Sequence, residues 1–258
     1  GQGRNEEALR DYDRAIALDP KLALSYSNRG LFYARQKRYA EALRDYDQAL
    51  SLDPKLVLGY YNRGEWYEIH GRHEEALRDL SQAIALNPKF GAAYLKRGDI
   101  YQVLGKDEEA IRDYTQAIFY CPSDLYSYNN RGNLYSKQGK YEEALNDYTR
   151  AISLDPKLGV GYLNRGAVFY KLGKDAEAEA DFTRAISLDP KLAFAYHFRG
   201  DIYQKQEKIE QALQDYSQGI ALDPGYADTY ANRGLIYGNQ GKYEKAISDW
   251  EKAIALGH

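Results

Sequence analysis

Apolar and small residues recur in the same order every 34 residues along this chain. We number each repeat so that a recurring proline stands at position 32. The prolines are Pro20, Pro54, Pro88, Pro122, Pro156, Pro190 and Pro224. In this numbering, each full repeat has aromatic residues at positions four and eleven, glycine at eight, alanine at 20 and a bulky residue at 24. Such self-similarity at a fixed period indicates a repeat architecture.

Each repeat carries the pattern of two helices joined by a turn. Positions four, eight and eleven share one face of a first helix, and positions 20 and 24 belong to a second helix. The turn between them, such as Gln138-Gly139-Lys140, contains a glycine suited to the left-handed residue that follows a helix end. We expect the second helix to stop at the Asp-Pro pair, because the residue before proline is disfavoured in helical conformation.

The glycine at position eight lies inside the first predicted helix, where glycine costs roughly 0.5–1 kcal/mol relative to alanine. Its recurrence predicts the close approach of a neighbouring helix. We expect the alanine at position 20 to be its partner, with the large aromatic residues filling the wider gaps between successive hairpins. One hairpin alone would leave its apolar face in water, so stacking of repeats is required for stability.

The 34-residue pattern resembles the tetratricopeptide repeat family over essentially the whole chain. The resemblance implies an all-α, right-handed superhelical solenoid of helix-turn-helix repeats, with the first helices lining its concave face. Gln2-Gly3-Arg4 matches the mid-repeat turn, so residues 1–22 are expected to be the second helix of a truncated repeat. Residues 23–258 then form seven repeats in one continuous solenoid domain. Gly219 departs from the pattern, because it replaces the usual alanine at position 27.

Composition excludes several classes of protein. The chain contains no run of 18 apolar residues, which a membrane-spanning helix would need, and its N-terminus carries no signal-like segment. We therefore expect a cytoplasmic protein without membrane insertion. A net charge of −3 argues against a nucleic-acid partner. The single cysteine, Cys121, excludes an intrachain disulfide. His70 and His73 lack the spacing of a zinc site, and no catalytic triad or phosphate-binding loop is present, so we expect no enzyme activity, metal or cofactor.

Two charged positions recur in every full repeat, with arginine at position seven and aspartate at 23. One hypothesis is a row of ligand-binding charges, and the other is a row of ion pairs between adjacent helices. We favour the ion pairs, because a packing interface needs the same charge in every copy and a ligand rarely does.

The first helices also carry candidate binding residues. Position six is asparagine in five of seven repeats, and its amide both donates to and accepts from a peptide backbone. Similar rows in the family bind peptide backbone; the alternative is a bond to the neighbouring helix, and both roles are compatible. The lysines at position thirteen have a second interpretation as solvated helix ends. The candidate groove residues are Asn28, Asn62, Asn130, Asn164, Asn232, Tyr61, Tyr126, Tyr170, Phe194, Lys137, Lys171 and Lys205.

These features predict a protein-interaction module that binds an extended peptide or a helix in its concave groove. The alternative hypothesis is a self-associating scaffold or spacer that stacks through its uncapped ends, because solenoids usually need a polar capping element.

Overall fold

The computed structural model of the chain describes residues 2–257, with side chains from residue 7 onward. These residues form fifteen α-helices and no strand, which confirms the predicted all-α class. From α2 onward, even-numbered helices are the first helices of the repeats and odd-numbered helices are the second. The helices are α1 (Gln2–Leu18), α2 (Ala23–Arg35), α3 (Tyr39–Leu52), α4 (Val57–Ile69), α5 (His73–Leu86), α6 (Gly91–Val103), α7 (Asp107–Tyr120), α8 (Leu125–Lys137), α9 (Tyr141–Leu154), α10 (Gly159–Lys171), α11 (Asp175–Leu188), α12 (Ala193–Lys205), α13 (Ile209–Leu222), α14 (Ala227–Asn239) and α15 (Tyr243–Ala255).

The start of α1 differs from the sequence pattern. Residues 2–4, which align with the mid-repeat turn, are helical. In the other repeats this turn closes a first helix, and within the described residues no first helix precedes α1. The α1 helix therefore includes the residues that align with the turn, and it occupies the place of a second helix.

The chain divides into two compact units, Gly1–Ser127 and Tyr128–His258. Within each unit the core lies between successive repeats. In the first unit, Ala76 and Leu80 of α5 pack with Ala93 and Ile100 of the next first helix. In the second unit, α11 and α12 pack in the same way. One continuous domain over 23–258 stays a prediction.

The mid-repeat turn has the left-handed residue that the sequence predicts. Gly139 has φ of +74°, and the N–H of Lys140 donates to the carbonyl of Tyr135 at 2.9 Å. This bond satisfies one of the carbonyls left open at the end of the first helix. Two turns use Lys37 and Glu207 in the same conformation, with φ of 61° and 58°.

Five of the described second helices end before an Asp-Pro pair, whereas α5 ends before Asn87-Pro88 and α7 before Cys121-Pro122. Asp155 is extended, with φ of −135° and ψ of 97°, as expected for a residue before proline. Its carboxylate also accepts a hydrogen bond from the N–H of Lys157 at 2.9 Å. The aspartate therefore both ends the helix and stabilises the following turn.

The glycine at position eight has a different partner from the one expected. A Cβ at Gly200 would lie 2.7 Å from Cε1 of Tyr216, the bulky residue at position 24. In the other hairpins of the described chain, the nearest side-chain atoms likewise belong to the residue at position 24. Alanine at 20 approaches only through its carbonyl, as Ala42 does at 3.1 Å from a Cβ built on Gly30. The glycine therefore makes room for the bulky residue at position 24, an aromatic ring in every described hairpin except that of Gly64 and Leu80, and alanine is not its main partner.

This packing predicts opposite effects for two glycine-to-alanine changes. Gly200→Ala should lower the free energy of unfolding by about 1–3 kcal/mol, because the fixed ring of Tyr216 leaves no space for a methyl group. Gly219→Ala should raise it by about 0.5–1 kcal/mol, because a Cβ there meets nothing closer than 3.5 Å. Urea unfolding followed by circular dichroism measures both. Equal stability of Gly200→Ala and the wild type would contradict the ring-on-glycine packing.

Candidate functional site

The arginine at position seven joins the two helices of its hairpin. In the fifth repeat, Arg165 Nε donates to Asp181 Oδ2 at 2.7 Å and Nη2 donates to Oδ1 at 2.8 Å. The corresponding pairs in the other six described hairpins have bonds of 2.7–2.9 Å. This confirms the hypothesis that the two charged rows are ion pairs between adjacent helices.

The same guanidinium reaches a third helix. Arg165 Nη1 donates to Thr149 Oγ1 at 3.2 Å on the second helix of the preceding repeat. The rings of Tyr162 and Phe169, at positions four and eleven, lie 5.6 and 5.9 Å from the guanidinium carbon. Hydrogen bonding to Asp181 raises the pKa of Arg165 above its ordinary value. The arginines at position seven therefore bond and pack within and between repeats, which makes their role structural.

Within each unit, successive first helices lie side by side, as α2, α4 and α6 do and as α10 and α12 do. Side chains at positions two, five, six, nine, twelve and thirteen of these helices form what we call the first-helix surface of that unit. The twelve candidate residues all belong to these helices.

Three asparagines at position six donate to the preceding first helix. Asn62 Nδ2 donates to Ser27 Oγ at 3.1 Å, and Asn232 Nδ2 donates to Asp201 Oδ1 at 2.9 Å. Asn164 Nδ2 bonds to the amide oxygens of two asparagines on α8, at 3.0 and 3.2 Å. These residues follow the second hypothesis for the asparagine row, a bond to the neighbouring helix.

The other two asparagines are placed differently. Asn130 Oδ1 accepts a long 3.4 Å bond from Asn129. Asn28 is half-buried and has no hydrogen bond to another described side chain. Its amide therefore makes no such bond to a neighbouring helix.

The four candidate aromatic residues fall into two pairs. Tyr126 and Phe194 are 62% and 43% exposed and present their rings to solvent. Tyr61 is half-buried against Phe90, with ring centroids 5.0 Å apart. The hydroxyl of Tyr170 donates to Asp201 Oδ2 at 3.3 Å, and burial raises the pKa of Tyr170 to about 12.

The three candidate lysines are all exposed. Lys205 lies with Nζ 4.1 Å from the Tyr170 ring centroid and 3.3 Å from Asp175 Oδ1. It therefore orients Tyr170 at the edge of the second unit's first-helix surface. Lys137 and Lys171 lie at the C-terminal ends of α8 and α10.

Asp201 is the residue that the sequence pattern did not identify. It accepts hydrogen bonds from Tyr216 at 2.7 Å, from Asn232 and from Tyr170, and it lies 3.5 Å from Nε2 of His197. Burial lowers the pKa of His197, partly opposed by Asp201 and Asp228. The four-residue spacing of His197 and Asp201 was the available signal, but the other partners of Asp201 come from α10, α13 and α14.

Among the described residues, no group of three or more histidine, cysteine, aspartate or glutamate side chains could hold a metal ion. No helix in that part of the chain is long and apolar enough to cross a membrane.

Comparison with known families matches this arrangement of hairpins. A model described as "Tetratricopeptide repeat" matches residues 23–56, 126–158, 160–192 and 227–257, just over half of the chain. The chain belongs to the tetratricopeptide repeat family. A second tetratricopeptide repeat model matches residues 57–90, and one described as "TPR repeat" matches 2–37, 98–139 and 200–241. Among curated protein sequences, no match is found.

Solved structures share the fold. A tetratricopeptide repeat protein from Parabacteroides merdae is 24% identical, with a TM-score of 0.66 over 92% of this chain and 93% of that one. Pseudomonas aeruginosa PilF is 21% identical, with a TM-score of 0.68 over 75% and 88%. YrrB, described as a TPR protein with an unusual peptide-binding site, is 25% identical, with a TM-score of 0.57 over 69% and 92%.

The tetratricopeptide ion pairs predict a large loss of stability on removing one partner. Arg165→Ala should lower the free energy of unfolding by about 3 kcal/mol, because it leaves the buried Asp181 carboxylate without a cation. Thr149→Ala removes only the Nη1 contact and should cost about 0.5 kcal/mol. Thermal unfolding followed by circular dichroism compares the two. A similar loss of unfolding free energy in both variants would show that the two-bond Arg165–Asp181 pair is not the main contribution of Arg165 to stability.

Proposed function

We propose that this tetratricopeptide repeat protein, a protein-interaction module, binds an extended peptide or a helix on its first-helix surfaces. The observation that carries the proposal is that the repeated charged positions and the variable first-helix positions have different surroundings. The arginines and aspartates common to all repeats form ion pairs within the hairpins. The variable first-helix positions instead present apolar and amide groups to solvent. YrrB, whose description names a peptide-binding site, supports the same use of the fold.

The exposed groups have the chemistry of a protein interface. Tyr126, Phe194 and Leu58 are each more than 40% exposed on first helices. Aromatic side chains contribute large contact areas and are enriched among the residues that dominate binding energy. Asn28 adds an amide that can both donate to and accept from a backbone peptide group.

The same features favour binding over catalysis. Members of the family are typically non-catalytic scaffolds, and the buried polar groups of the second unit serve one another as hydrogen-bond partners. We infer a protein or peptide partner rather than nucleic acid, and a cytoplasmic location.

Selection from a random peptide library on the immobilised full chain tests this function. Fluorescence anisotropy then gives the affinity of a selected peptide for each variant. The triple variant Asn28→Ala, Tyr126→Ala, Phe194→Ala should bind about tenfold or more weakly, because it removes exposed contacts from first helices. Its unfolding midpoint should fall by no more than about 4 °C, because Asn28 is unbonded, Tyr126 is exposed, and Phe194 loses only its ring contact with Tyr226 at 4.9 Å.

Phe119→Ala is the matched control, because Phe119 is 72% exposed but lies on a second helix. It should leave the affinity unchanged. Failure to select any peptide, or equal loss in Phe119→Ala and the triple variant, would refute binding by the first helices.

A second candidate, self-association, is favoured by one observation on α15. Tyr243, Ile247 and Ile254 are each more than half exposed on this helix. An apolar helix face of this kind is a surface for another helix. Sedimentation velocity at rising concentration should show dimers that Ile254→Asp abolishes. A monomer at every concentration would exclude this candidate.

A further inference from the structure

The tyrosine at position 24 is usually anchored by polar side chains on its own first helix. Tyr114 donates to Asp99 at 2.9 Å and is bonded to Gln102 at 2.7 Å. Tyr148 donates to Asn133 at 2.8 Å. The acceptors stand at positions nine and twelve, on the first-helix surface. In these repeats, polar side chains therefore cover the hydroxyl end of the ring.

The first repeat lacks these acceptors. Leu31 and Ala34 stand at positions nine and twelve, and both line a cleft that also includes Tyr46 at position 24. Tyr46 is only 1% exposed, and no described side chain forms a hydrogen bond with its hydroxyl. Burial raises the pKa of Tyr46 well above its ordinary value, so its hydroxyl stays protonated and remains a donor. The cleft thus lies over the Tyr46 hydroxyl, where other repeats have polar side chains at positions nine and twelve.

The opposite wall comes from the second repeat and is aromatic. Trp66 stacks on His70 with ring centroids 3.9 Å apart, and its buried indole N–H has no acceptor among the described side chains and backbone. Ile69 is 74% exposed at the edge of the cleft. The open cleft has a volume of about 200 Å³. Because apolar cavities of about 150 Å³ hold a benzene-sized ring, this cleft has room for one large side chain.

The adjoining part of the same surface is acidic. Glu65, which also lines the cleft, lies 3.5 Å from Lys96 Nζ, and Glu68 lies 3.7 Å from the same ammonium. Asp99 adds a third carboxylate, and burial together with Asp99 and Glu65 raises the pKa of Glu68 despite Lys96. Arg35 is the cation on the cleft's outer edge, where it is exposed. Three carboxylates and two cations leave a negative field that favours a basic partner.

The geometry points to a specificity site in the first unit: the cleft bounded by Leu31, Ala34, Tyr46 and Trp66 binds one large apolar side chain of a peptide whose neighbouring residues are lysine or arginine. This inference rests on the proposed function and names the class of peptide that the first unit selects. The apolar side chain fills the space over Tyr46, and the flanking cations lie against Glu65 and Glu68.

Trp66 provides a direct optical readout. Trp66 and Trp250 are the two tryptophans of the chain, and Trp250→Phe leaves Trp66 as the reporter. Phenylalanine already occupies the same repeat position at Phe182, so this change preserves the packing. The probe is a capped peptide with one phenylalanine flanked by two lysines on each side. It should change the Trp66 emission with saturation, because the bound ring contacts the indole.

Two matched peptides test the two parts of the inference. Replacement of the phenylalanine by alanine should weaken binding about tenfold or more, because it removes the buried ring. Replacement of the lysines by glutamates should weaken binding by a similar factor and reverse its salt dependence, because salt screens the attraction of the lysines but the repulsion of the glutamates. Equal affinity of all three peptides would overturn the inference while leaving peptide binding by the first helices intact.

Variants of the cleft locate the site. Ala34→Leu fills the cleft, and Leu31→Asn supplies the acceptor that Asn133 provides for Tyr148. Both variants should bind the probe peptide about tenfold more weakly than the wild type, and urea unfolding should show that Leu31→Asn remains folded. Ala167→Leu, an alanine-to-leucine change at position nine of α10 in the second unit, should leave affinity unchanged. No emission change with the probe, or unchanged affinity in Leu31→Asn, would refute the cleft as the site.

Discussion

The two-bond pair between the arginine at position seven and the aspartate at position 23 constrains the rest of the structure. The aspartate is buried, as Asp181 is at 6% exposure, and a buried carboxylate without a cation is strongly unfavourable. The planar guanidinium satisfies both carboxylate oxygens and still has Nη1 free to reach the preceding repeat. One side chain therefore sets the spacing within a hairpin and the spacing to the previous one.

This constraint divides the positions of a repeat into two groups. Positions that hold the hairpins together carry the same residues in each repeat, since their neighbours are always the same. Positions on the first-helix surface are free to differ. Their differences have structural consequences: Asp99 and Gln102 hold the hydroxyl of Tyr114, whereas Leu31 and Ala34 leave a cleft over Tyr46. Variation at these two positions removes the polar cover of the ring, and Trp66 and His70 of the next repeat complete the wall of the cleft.

Polar residues on this surface also differ in how much they can offer a partner. Asn164 and Asn232 use their amide N–H groups on the preceding first helix, and Asp201 is shared among four side chains. Such a fully paired network stabilises the second unit. Asn28 lacks these bonds. The same residue type at the same repeat position thus bonds to the preceding first helix in some repeats and makes no such bond in another.

The sequence by itself determined the repeat length, the two helices of each repeat, the left-handed turn residue and the stop at Asp-Pro, because each depends on local backbone preferences. It also predicted the Arg–Asp pairs, since an equal period in opposite charges implies contact. Tertiary structure decided which side chain covers the glycine at position eight: the ring of Tyr216, rather than Ala212, lies over Gly200. It also decided how Asp201 and the cleft over Tyr46 are built. These depend on side chains from several helices meeting in space, and spacing along one chain does not specify that.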